Sequence, residues 1–87
     1  MASAIAEEVK HEIDRSEEEY GAFHSLHEGL SVLRAEYKEL EDAIFWGISK
    51  DGDTSCVRSN AIHVAAMATK IAMMISSIPV DLPVEHD

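Results

Sequence analysis

From Leu26 to Ile44 the apolar residues recur at alternating spacings of four and three: Leu26, Leu30, Leu33, Tyr37, Leu40 and Ile44. Charged residues fill the positions between them. This is the period of an α-helix with one continuous apolar stripe. "SLHE" ahead of it places Ser25 three residues before Glu28, the pattern of a capping box. The helix is therefore expected to start there and to run to about Ile48. "SKDGDTS" follows as a loop around the Asp51-Gly52 turn.

A second stripe, Val57, Ala61, Val64, Ala68, Ile71 and Ile75, predicts a helix from Asp53–Ser55 to about Ser77. Its small residues allow a neighbouring helix to approach closely. Ahead of both, Ile5, Val9, Ile13 and Tyr20 predict a first helix over Ser3 to Glu19. "SEEE" at Ser16 is itself a capping pattern and marks a candidate interruption; Gly21 is placed to end the helix. Pro79 and Pro83 predict a tail leaving the bundle over 79–87, after a single helical domain over 1–78. No run alternates apolar and polar residues long enough for a strand. The expected fold class is all-α: a small antiparallel bundle of about three helices, with the second and third forming a hairpin.

Composition narrows the partners. The chain has 87 residues and a formal net charge of −10, from 17 Asp and Glu against 7 Lys and Arg. Phosphate backbones and anionic membrane surfaces call for clustered basic residues, so neither nucleic acid nor membrane is an expected partner. A domain this short buries a modest share of its surface, and two long apolar stripes remain to be covered. A homo-oligomer is expected. Cys56 is the lone cysteine, which excludes an intrachain disulfide and suits a reducing compartment. The start carries no basic segment followed by an apolar run, so no signal peptide is expected and the chain is read as cytoplasmic.

The acids on the second helix are the candidate chemistry. Glu36 and Glu39 stand three apart and can point the same way. Counting outward from the loop centre puts Glu39 level with His63 and Val64, and Glu36 level with Met67. Asn60 and His63 then face the two glutamates across the hairpin. Taken alone, "AEYKELEDAIF" is the solvated face of an amphipathic helix. Glu41 and Asp42 read as solvated, His63 as a structural histidine among small residues, and His24 and His27 as exposed or capping residues at a helix start. Tyr37, Phe45 and Trp46 read as core or oligomer contacts rather than a base-stacking pocket. Arg58 and Lys70 are single cations on an acidic helix pair, either ion-paired or free to meet phosphate. No GxGxxG, P-loop, HExxH or Cys/His zinc pattern occurs. "DGDTS" is no EF-hand, because Ile62 stands where that loop needs Glu.

One resemblance gives the acids a meaning. "SLHEGLSVLRAEYKELEDAIF", a short loop and "RSNAIHVAAMATKIA" resemble the small MazG-like proteins of the all-α nucleoside triphosphate pyrophosphohydrolase superfamily. "HEG" and "VAAMA" are most similar to compact phage- and mobile-element-type members. The match runs from about Tyr20 to Ile75. It implies an ExxE motif at Glu36 and Glu39, and a second, acidic motif at Asn60 and His63, where two carboxylates are replaced. It also implies Mg²⁺ (or Mn²⁺) held by Glu36, Glu39, Asn60 and His63. The expected reaction is hydrolysis of a nucleotide to its monophosphate and pyrophosphate, with Glu36 and Glu39 catalytic. His27 and Lys70 are the candidate substrate contacts, and a homodimer or homotetramer is the expected assembly. The replacements weaken that expectation, because Mg²⁺ prefers hard oxygen ligands and His63 offers nitrogen. The other reading is a catalytically degenerate helical module that binds nucleotide or serves as an assembly or regulatory partner.

Overall fold

The computed structural model describes residues 2–50 and 52–76, with the side chains described from residue 4 onward. Within them the chain forms α1 (Ala2–Tyr20), α2 (Leu26–Trp46) and α3 (Ser55–Ser76), and no strand. Asp51 and the tail with Pro79 and Pro83 lie outside the described residues. No helix among the described residues is long and apolar enough to cross a membrane.

Local chemistry sets the helix ends. α1 runs through Ser16 without a break and stops at Gly21, whose φ of 82° is left-handed and whose N–H closes onto the Glu17 carbonyl at 2.8 Å. The Ser25 hydroxyl accepts the Glu28 N–H at 3.0 Å and so satisfies one of the free donors of α2. Glu28 Oε1 in return accepts the backbone N–H of His24, one residue earlier than a capping box requires. α2 ends at Trp46, two residues short of the expected end, with Gly47 as its cap. Ahead of α3, Asp53 Oδ1 accepts the Ser55 N–H at 2.9 Å.

α3 is the central helix. It packs along α2 over most of its length and against α1 less extensively. Among the described residues the buried apolar side chains are few: Ile13, Ala43, Ala66 and Met67, with Val9, Phe23, Val32 and Leu33 packed against Ile13, Ala66 and Met67. Close approach of α2 to α3 depends on Gly29, where a Cβ would fall 2.9 Å from Ile71 Cγ1 and 3.0 Å from Phe23 Cδ2.

This packing uses a different face of α2 from the one its apolar stripe defines. The buried positions of α2 are Gly29 and Ala43. Leu26, Leu30, Tyr37 and Ile44, four of the six stripe residues, are exposed, Tyr37 at 58%. Phe45 and Trp46 in the last turn of α2, and Ile48 just past it, are exposed as well. On α3, Ala61, Ala68 and Ile75 of the expected stripe also face outward, while Ala66, Met67 and Lys70 are buried. The physical reason is size. α3 seats itself against the glycine and alanine of α2, with Leu33 and Leu40 half-buried at the edge of the contact, and Leu26, Leu30, Tyr37 and Ile44 are left on the outside.

Candidate functional site

The candidate site forms where the three helices meet. His63, on α3, lies between a carboxylate from each neighbour. Its Nδ1 is 3.6 Å from Glu36 Oε1 of α2, and its Nε2 is 3.8 Å from Glu12 Oε2 of α1. Both separations exceed ordinary hydrogen-bond length, and they are ion pairs only with a protonated ring. A neutral imidazole carries one N–H and suits one of the two carboxylates, whereas an imidazolium presents a donor to both.

The two carboxylates differ. Arg15 grips Glu12 with two bonds, Nη2 to Oε2 at 2.6 Å and Nε to Oε1 at 3.0 Å, and reaches Glu19 with Nη1 at 2.8 Å. The Arg15 hydrogen bonds hold the Glu12 carboxyl below its usual range, with nearby His63 adding to the effect. Glu36 has no such clamp. Its Oε1 is buried without a hydrogen-bond partner. Burial pushes its pKa up, the neighbouring Glu39 charge pushes it further, and His63 pulls it back.

The structure brings some of the expected residues together and not others. Glu36 and His63 are in contact, and Glu39 is close enough to act on Glu36 through its charge. Glu39 itself is exposed. Asn60 is turned back along its own helix, its amide donating to the Cys56 carbonyl at 2.9 Å. His27 is exposed on the first turn of α2. Lys70 is buried at 4% exposure against Ser16 and Phe23, on the far side of Met67 from His63. Arg58 is tied to Glu8 of α1 through two bonds, at 2.5 and 2.6 Å.

As arranged, this donor set does not fit a resident Mg²⁺ ion. Glu12 and Glu36 approach opposite edges of the imidazole, so the three groups do not converge on one point. Among the described residues no group of three or more His, Cys, Asp or Glu side chains is placed to hold a metal. The arrangement stands one imidazole of α3 between carboxylates of two different helices, where a protonated ring would pair with both.

Glu12, Arg15 and Ser16 were not singled out for this site from sequence. They belong to α1, which lies before the stretch that carries the MazG-like resemblance. The available signal was the i, i+3 and i+4 spacing of Glu12, Arg15 and Glu19, which marks an ion-pair ladder on one helix face. No family model matches the chain, and no curated protein or solved structure is similar to it.

Proposed function

We propose that this chain is a self-associating helical module on a MazG-like scaffold, acting in the cytoplasm, in which His63 takes the place of a metal-binding acid. The observation that carries this reading is the exposed apolar stripe of α2. Leu26, Leu30, Tyr37 and Ile44 lie along one side of a single helix and end beside Phe45 and Trp46. An exposed contiguous apolar surface marks an interaction site. A second copy is the occupant that fits best, because the exposed Leu30, Tyr37 and Ile44 recur every seven residues, the period by which two helices pack along one another. The small core of the single chain supports the same reading, since burial between copies supplies what the core lacks. Sedimentation at micromolar concentration tests it: a homodimer or homotetramer is expected, and a stable monomer overturns it.

One observation favours the enzyme reading, a metal-dependent nucleotide pyrophosphohydrolase. Glu36 Oε1 is a buried acceptor with no hydrogen-bond partner, and a divalent cation satisfies such an atom. On that reading Glu36 and Glu39 are ligands, Asn60 gives up its bond to Cys56, and His27 and Lys70 meet the substrate. His63 nitrogen suits Mn²⁺ better than Mg²⁺. Release of pyrophosphate from a nucleotide panel, with each metal in turn, separates the two readings. Metal-dependent release that is lost in Glu39→Gln establishes the enzyme, and no release with either metal leaves the helical module.

A further inference from the structure

Lys70 is buried, and among the described residues its hydrogen-bond partners are uncharged, while its charge reaches Glu28 without an ion-pair contact. Ser16 Oγ accepts from Nζ at 2.8 Å, and the Gly21 carbonyl lies at 3.5 Å, the limit for a hydrogen bond. The Phe23 ring sits 4.3 Å away. Among the described residues no carboxylate is within ion-pair distance of it. An ammonium is a compact, strongly hydrated charge with three donors and no acceptor. Buried charges are ordinarily paired, so this one stands out.

The same lysine borders a cavity of about 340 Å³. Phe23, Val32 and Met67 give it apolar walls, and the buried Ser16 adds a hydroxyl. Because Ser16 Oγ accepts from Lys70, its proton is directed to a different acceptor. A charged donor and a hydroxyl therefore stand side by side on the lining of a cavity with apolar walls. Glu28 and Glu36 also line it, and their charge disfavours ligands with several anionic groups.

We propose that this cavity binds a small organic molecule through one compact anionic group, a carboxylate or a phosphate monoester. Lys70 and Ser16 hold the anion, and the apolar body lies against Phe23 and Met67. The volume is in the range of small-molecule sites, and the apolar lining with a few converging polar groups is their usual chemistry. The site needs no metal, so it stands or falls apart from the pyrophosphohydrolase reading.

The test is an amide-shift titration of the whole chain, in chelator and at constant ionic strength, with benzoate, phenyl phosphate and uncharged benzamide. Saturable shifts centred on Gly21 and Phe23 are expected at millimolar concentrations of the two anions and not with benzamide. The tighter of the two anions identifies the headgroup. Lys70→Met is expected to weaken that binding about tenfold or more, while its thermal midpoint is no lower than that of the wild type, since a buried charge without a direct ion pair is removed. Ser16→Ala is expected to weaken binding with the fold kept. Equal binding of benzamide, or shifts that never saturate, overturns the proposal. A Lys70→Met chain that fails to fold, together with wild-type binding by Ser16→Ala, also overturns it, because Lys70 is then a structural tie between α3 and α1.

Discussion

His63 Nδ1 lies 3.6 Å from Glu36 Oε1, and this contact places an imidazole beside a half-buried carboxylate whose Oε1 has no hydrogen-bond partner. Glu36 is the strained member of the pair. Burial and the Glu39 charge raise its folded pKa above its unfolded value. A raised carboxyl pKa means that the folded state holds the proton more tightly. Its contribution to stability is therefore present at low pH and is lost as pH rises through the folded value. Glu36→Gln is expected to raise the thermal midpoint at neutral pH and to flatten this part of the pH–stability curve. His63→Gln is expected to do the reverse, removing the group that pulls the Glu36 pKa down. Thermal melts from pH 4 to pH 8 check both, with the largest difference expected above the ordinary carboxylate range.

Gly29 makes a second prediction on purely steric grounds. In a helix interior, Gly→Ala ordinarily gains up to about 1 kcal/mol from backbone entropy and propensity. Here the new Cβ would meet Ile71 Cγ1 at 2.9 Å and Phe23 Cδ2 at 3.0 Å. α2 and α3 must then separate. Gly29→Ala is expected to destabilise by about 1–3 kcal/mol, the usual cost of overpacking. Urea titration measures it, and a stabilised variant would mean that the two helices are not held as close as the contacts indicate.

The Arg58–Glu8 pair joins α3 to α1 with two short bonds, and both side chains are exposed. Exposed pairs are screened by salt. The Arg58 hydrogen bonds hold the Glu8 carboxyl below its usual range. With a depressed pKa, the contribution is present above the unfolded value and is lost as pH falls through the folded one. Arg58→Gln is expected to lower the melting midpoint in low salt, and the difference from wild type is expected to close in molar salt and in acid. A salt-independent loss would show that Arg58 acts through packing of its stem instead.

Much of the helical order was legible because each helix carries its own punctuation. Ser25 and Glu28 open α2, Gly21 ends α1, and Asp53 precedes α3, all through bonds between near neighbours. Ser16 misled for the same reason: its capping pattern is local, whereas its hydroxyl is committed to Lys70, 54 residues away. The stripes were found but not their use. Periodicity shows that Leu30 and Tyr37 share a face, not whether α3 or another chain covers it. Small residues decided that question, since Gly29 and Ala43 let α3 approach where leucine does not. At the site, counting from the loop set Glu39 level with His63, yet Glu36 makes the contact. Level along the axis does not fix azimuth, and Glu39 points to solvent. Glu12 escaped because α1 carries no part of the resemblance.

The account rests on the outer face of α2 being an interface between copies. Sedimentation velocity of the wild type beside Leu30→Glu and Tyr37→Glu tests this most directly, since both side chains are about half exposed or more and lie outside the core of the single chain. The wild type is expected to sediment as a dimer or tetramer at micromolar concentration. Each variant is expected to shift toward monomer while keeping its helical circular dichroism, because a charge at a desolvated interface costs several kcal/mol unless it is paired. A wild type that stays monomeric, or variants that assemble as the wild type does, would contradict the account.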